Sequence, residues 1–186
     1  MGQSAKLDTR ERLIEAGKRV IYEKGFHCAR ISDITGAAGL AHGTFYLYFR
    51  TKEEFLLELM KSVREEILLL MEEGSSLIRE GKVSEGKDLF FLRTFELMIR
   101  EKELAKILFF EAICSSGEFQ RFYGESKEIF IVRTREVLDL LELLPSEIKA
   151  HILVGTARHL IELLILKGEE VTGKWKEVLK ELGVYS

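Results

Sequence analysis

Cysteine, proline and long apolar runs are what this 186-residue sequence lacks most. Its two cysteines, Cys28 and Cys114, form no CxxC pair and no ligand cluster, so neither a disulfide framework nor a cysteine metal site is expected. The Cys114 thiol reads as a small core group rather than a redox sensor. The longest apolar stretch, Leu160 to Leu166, is broken by Glu162 and falls far short of the ~18 residues that suggest a membrane span. The polar start Met1-Gly2-Gln3-Ser4-Ala5-Lys6 carries no apolar signal-peptide core, and Lys6 stands where myristoylation needs Ser or Thr. A cytoplasmic chain with no membrane partner is the expectation. There is one proline, Pro145, and almost no strict apolar/polar alternation, which disfavours strands.

Enzyme signatures are missing too: GxSxG, a P-loop, GxGxxG, HExxH and the paired ExxH of di-iron bundles do not occur. His151 and His159 lie eight residues apart, about 12 Å along a helix, too far to share one metal. No cofactor, metal or catalytic residue is expected.

What remains is 46 % hydrophobic and 32 % charged, a composition that supports a packed core and excludes disorder. Lys plus Arg number 28 against 31 Asp plus Glu, for a net charge of −3. That figure hides an asymmetry. Residues 1–52 carry nine basic and five acidic side chains, +4, leaving −7 for the rest. A basic head on an acidic body suits a polyanionic partner.

Periodicity predicts about nine helices and an all-α fold. The first runs from Asp8, with Glu11 as capping-box partner, to Lys24, with Leu13, Ile14, Gly17, Val20 and Ile21 on its apolar stripe. Ile31, Ile34 and Ala38 mark a short second helix stopped by Gly39, and Ala41 to Phe49 a third. Thr51 and Glu54 cap a long fourth helix to about Glu73, where Gly74-Ser75-Ser76 breaks the pattern. Further helices are predicted over Ser84–Arg100, Glu103–Cys114, Glu118–Leu143 and Pro145–Gly168, and around Trp175 to Leu182. The implied domains are 1–52 and 53–186.

Two short helices joined by a glycine turn form a helix-turn-helix, whose second helix can enter a DNA major groove. Ile31, Ile34, Leu40, Phe45 and Phe49 supply its core. His42, Gly43, Thr44, Leu47 and Tyr48 face outward and are mostly small or hydrogen-bonding. The string from Gly39 through Thr44-Phe45-Tyr46-Leu47-Tyr48-Phe49 to Lys52-Glu53-Glu54 resembles the TetR family of transcriptional regulators over residues 8 to about 60. The resemblance implies DNA contacts from Ala41, His42, Gly43 and Thr44 at the start of the recognition helix. Thr44 would meet a base edge or a thymine methyl. Tyr46, Tyr48, Lys52 and Ser32 would meet the phosphate backbone. Arg30 replaces the usual hydroxyl residue before the second helix and offers a guanidinium instead, while Thr35-Gly36 departs from the family pattern.

In the body, the helix over Pro145–Gly168 is apolar on more than one face, so it needs two burial partners. A twin subunit supplies the second, with Ile152, Gly155, Thr156, His159 and Leu163 as the expected dimer contacts. The resemblance further implies an effector pocket, for which Phe91, Phe95, Phe110, Phe122, Phe130, Arg133 and Arg158 are the candidates, although Arg158 could equally pair with Glu162. The expected protein is a homodimeric one-component regulator, a repressor of palindromic operators on double-stranded DNA, released by a small, largely apolar effector. The alternative is a dimeric carrier of apolar molecules without DNA binding. The absence of acidic side chains from residues 41–52 argues against it.

Overall fold

The computed structural model describes residues 2–112 and 117–185, with side-chain environments for residues 8–110 and 117–185. All regular structure among the described residues is helical. Nine α-helices follow in order among them: α1 Gly2–Lys24, α2 Ile31–Ala37, α3 Lys52–Arg79, α4 Val83–Lys87, α5 Thr94–Arg100, α6 Lys102–Ile107, α7 Gly117–Leu140, α8 Ser146–Lys167 and α9 Thr172–Glu181. A 3-10 helix occupies His42–Leu47, and π-helical segments occupy Asp88–Arg93 and Leu108–Ala112. The chain divides into two compact units between Val63 and Arg64, within α3.

In the first unit, Leu13, Ala16, Val20 and Ile21 of α1 are buried as their spacing requires. Gly17 belongs to that stripe for a different reason: a Cβ there would lie 2.1 Å from the Phe55 ring, so only a bare backbone lets α3 approach. Phe45, Phe49 and Phe55 are fully or almost fully buried, with ring centroids 4.9–5.4 Å apart. This triad joins the 3-10 helix to the first turn of α3.

Several boundaries differ from those predicted. Helix α1 begins at Gly2, which leaves Asp8 and Glu11 inside a helix that no proline or glycine interrupts there. Helix α3 continues through Gly74-Ser75-Ser76 to Arg79. Tertiary packing overrides the weak local propensity: Gly74 lies backbone to backbone against Gly86 and Phe90, and the Ser75 hydroxyl donates to the Met71 carbonyl at 2.8 Å. The predicted Ser84–Arg100 helix is three pieces, with the π segment Asp88–Arg93 between α4 and α5. The predicted end of the sixth helix near Cys114, and the Cys114 thiol itself, lie outside the described residues.

The second unit is built on α7 and α8, which pack along each other, with α5, α6 and α9 against α8. Leu138 of α7 and Leu153 and Ile161 of α8 are almost wholly buried. Phe95 stacks on Trp175 of α9 at 4.9 Å, and the Trp175 indole N–H donates to the Phe91 carbonyl at 2.8 Å, fastening α9 to the π segment.

Candidate functional site

The turn before the 3-10 helix needs a left-handed residue, and Gly39 supplies it at φ 66°. Two arginines of α1 hold the end of α2. Arg12 Nη2 donates to the Ala38 carbonyl at 2.7 Å and Arg19 Nη2 to the Ala37 carbonyl at 3.3 Å, cations placed at the negative end of a helix. The start of α2 is fixed by Asp33, whose carboxylate accepts from the Arg30 backbone N–H at 3.0 Å and pairs with Lys24 at 3.0 Å. Those interactions, the Arg30 hydrogen bond first, hold its carboxyl below the ordinary carboxylate value. Arg30 therefore caps through its backbone and leaves its side chain exposed. Thr35, a departure from the family pattern, is buried and returns its hydroxyl to the Ile31 carbonyl at 3.1 Å. Gly36 sits exposed, and a methyl group added there would meet nothing within 4 Å.

Within the 3-10 turn Phe45 is buried, while Ala41, His42, Gly43, Tyr46 and Leu47 are exposed. The Tyr46 and Leu47 residues are 53 % and 79 % exposed, far more than packing residues would be. Thr44 and Tyr48 are half-buried at its margins, and Ser32 is exposed at the start of α2. The His42 ring meets Tyr46 edge-on at 5.7 Å. The exposed edge carries hydroxyls, an imidazole and small residues, and no acid.

The positive charge of this unit is less available than a count of side chains suggests. Arg10 pairs with Glu58, Lys24 with Asp33, and Arg12 and Arg19 hold carbonyls. Lys52 Nζ donates to the Phe26 carbonyl at 2.8 Å and to the Ala29 carbonyl at 3.1 Å, and lies over the Phe26 ring. Two of its three N–H groups therefore close the loop between α1 and α2. Arg50, which sequence reasoning passed over, is exposed just after the recognition element. Its backbone N–H donates to Glu54 at 2.7 Å, while Thr51 Oγ1 accepts from the Glu54 N–H at 3.0 Å, so α3 starts in a capping box that leaves the Arg50 guanidinium outside. The only signal for Arg50 was its charge beside the motif.

The second unit contains a cavity of about 70 Å³. Phe90 and Phe91 of the π segment, Phe130 of α7, Leu153 of α8 and Trp175 of α9 form much of its wall, with Met71 and Met98 beside them. Of the candidate pocket residues, Phe91 and Phe130 line this cavity. Phe95 and Phe122 are buried elsewhere in the core, Phe95 on Trp175 and Phe122 under the Arg64 guanidinium at 4.9 Å. Phe110 is 43 % exposed. Arg133 is exposed and faces Glu72 and Glu136 at 3.5 and 3.3 Å. Arg158 bonds Glu162 at 2.8 Å and the Tyr123 hydroxyl, and lies over the Phe109 and Tyr123 rings. The two arginines are thus neutralised by neighbours and outside the cavity wall.

Along α8, Ile148, Ile152, Gly155 and His159 are exposed and recur at spacings of three and four, with Thr156 and Leu163 half-buried beside them. Ile148 and Ile152 are 59 % and 43 % exposed, an apolar stripe unpartnered among the described residues.

Comparison with known proteins agrees with this arrangement. Residues 13–59 match the family model described as bacterial regulatory proteins, tetR family. The HTH-type transcriptional regulator YdgC of Bacillus subtilis is 30 % identical over 173 residues, 89 % of this chain and 86 % of that one. The fatty acid metabolism regulator protein of B. subtilis is 33 % identical over 153 residues, 80 % of this chain and 75 % of that one. Among solved structures, a TetR/AcrR-family regulator of Aquifex aeolicus superposes with TM-score 0.74 at 29 % identity, covering 94 % of this chain and 99 % of that one. FadR of B. subtilis in complex with stearoyl-CoA shares the fold with TM-score 0.71 at 23 % identity, covering 95 % and 99 %. A glycine-turned pair of short helices, its outward edge mounted on three phenylalanines, and a helical body that relatives match along most of its length lead to one conclusion: this chain is a member of the TetR family of bacterial transcriptional regulators.

Proposed function

We propose that the protein is a homodimeric repressor that binds palindromic operator DNA in the cytoplasm through residues 30–52 and is released by an effector of the fatty-acyl class. The acid-free exposed edge from His42 to Leu47 on its phenylalanine platform carries this reading. A rigid edge of that kind can enter a major groove with Ala41, His42, Gly43 and Thr44 at base edges. Arg30, Ser32, Tyr46, Tyr48, Arg50 and the remaining N–H of Lys52 then face phosphates, which position the protein without reading sequence. The exposed Ile148–Ile152–Gly155–His159 stripe supports a two-fold α8 interface, which presents two recognition edges to two half-sites.

For the effector, the cavity wall is apolar, with no charged side chain among the described residues that line it. A buried carboxylate or phosphate would go unpaired there, whereas a hydrocarbon chain would not. The relative named as a fatty acid metabolism regulator points to the same class. At about 70 Å³ the cavity is smaller than a long chain, so binding must enlarge it and favour a body conformation that the DNA-bound state does not share.

The test is selection of bound sequences from random duplex DNA, followed by release with acyl-CoA thioesters of graded length. Recovery of a palindrome that acyl-CoA releases is the expected result. Thr44→Ala should weaken binding to that palindrome by roughly five- to a hundredfold while leaving random duplex almost unaffected. Equal loss on both would remove Thr44 from base reading. Retention of acyl ligands without any selected sequence would favour the carrier instead.

A further inference from the structure

The cavity wall carries three side-chain groups able to hydrogen-bond, and two of them are already engaged. The Trp175 indole N–H donates to the Phe91 carbonyl and the Thr94 hydroxyl to the Phe90 carbonyl, so both hold the π segment. The third is Thr134 of α7, which is 4 % exposed. Three other buried hydroxyls of this unit turn back to the carbonyl four residues before: Ser75 to Met71, Thr94 to Phe90 and Ser126 to Phe122. Thr134 does not, and its hydroxyl has no hydrogen-bond partner among the described residues although it lines the cavity. Its oxygen is not sealed from the cavity, since among the described residues the buried side-chain polar atom without a partner is Arg64 Nε, so a molecule in the cavity can reach the Thr134 hydroxyl.

From this we infer that Thr134 sets the polarity of the ligand. Its hydroxyl takes the single hydrogen-bonding oxygen of a slender, uncharged chain whose remainder fills the apolar cavity. The inference rests on reading the cavity as the effector site and adds to it one specificity-determining residue. A purely hydrocarbon chain leaves Thr134 unpaired; a chain with a carbonyl, ether or hydroxyl oxygen at that depth satisfies it. A second oxygen would have no free partner on the described wall. Met71 and Met98 supply the give needed for entry, because unbranched thioether side chains change rotamer at little cost.

Trp175, the sole tryptophan of the chain, lines the cavity and reports on its occupancy by fluorescence. The experiment titrates the full-length protein and its Thr134→Val and Thr134→Ser variants with 2-undecanone and with 1-decene, following Trp175 emission and the heat of binding. Expected is a loss of about three- to tenfold in affinity for the ketone in Thr134→Val, with the alkene unchanged and the ketone preference retained in Thr134→Ser. Without ligand, Thr134→Val should unfold at the same or a higher temperature, since valine replaces an unpaired hydroxyl by a group of the same shape. An equal effect of the valine on both probes, no effect on either, binding of neither probe by the native protein, or a lowered unfolding temperature of the free variant would overturn the inference. Ketone binding with the expected Thr134 dependence, while neither the ketone nor any acyl-CoA releases operator DNA, would leave Thr134 its role and overturn the effector reading alone.

Discussion

At the scale of single residues, the charged groups of the first unit divide into those that hold it together and those left for a partner. Lys52 does both. Substituting Lys52→Met removes two hydrogen bonds to the Phe26 and Ala29 carbonyls and should cost about 1–2 kcal/mol of stability, measured by urea unfolding. Its charge also lies beside the recognition edge, so the salt dependence of operator binding should weaken by about one unit of slope per protomer. An unchanged slope would confine Lys52 to closing the loop. Asp33 makes an acid-sensitive contribution. Its carboxyl is held below the ordinary value when folded, so its stabilisation is present above the unfolded-state pKa of about 4 and is lost as pH falls through the depressed folded value. The thermal midpoint of the native protein should therefore drop on acidification below about pH 4 more steeply than that of Asp33→Asn. Parallel curves would dismiss the effect.

At the scale of elements, α3 and α4 cross at a close glycine contact in the second unit. A Cβ on Gly74 would lie 2.8 Å from the Gly86 carbonyl oxygen and 2.9 Å from the Phe90 backbone nitrogen. Gly74→Ala must therefore separate the helices and should destabilise the protein by about 1–3 kcal/mol, although alanine is the better helix former. The same substitution at Gly36, exposed in the last turn of α2, meets nothing within 4 Å and should stabilise by up to about 1 kcal/mol. Opposite signs for one chemical change, read in urea unfolding of both variants, would show that packing rather than propensity decides at Gly74. The 3-10 form of the recognition element is also a matter of scale. Six residues containing Gly43 and β-branched Thr44 are too few and too poor in helix formers to sustain α geometry, and the i→i+4 bond from the Phe49 N–H to the Phe45 carbonyl at 3.0 Å then brings the two rings to one core.

For the whole molecule, the proposed reading of two half-sites requires two chains. Ile152 is 43 % exposed at the centre of the α8 stripe. Ile152→Glu would place two facing carboxylates at a two-fold interface, and should shift the protein from dimer to monomer in sedimentation and weaken palindrome binding at least tenfold. A dimer that survives the substitution would move the interface off this stripe.

The helix-turn-helix is written locally, because turn glycine, inward phenylalanines and α3 cap all lie within about 25 consecutive residues and act through local geometry. The α3 start is a case in point: the Glu54 N–H reaches Thr51 Oγ1 as their spacing requires, its carboxylate takes the Arg50 N–H, and the Phe45 and Phe49 rings meet at 5.4 Å. The sequence also carries the two-sided apolar character of α8, from which the exposed stripe follows. Only the tertiary structure decided that α3 runs on through Gly74, since the reason lies in Gly86 on another helix. The same holds for which basic side chains are free and which aromatics border the cavity. Arg133 and Arg158 look alike in sequence to cavity arginines, yet glutamates on their own and neighbouring helices neutralise them. Phe91, from the π segment, and Thr134, from α7, come together at the cavity although they are far apart in the chain. Such choices depend on contacts between residues far apart in the chain, and no local pattern encodes them.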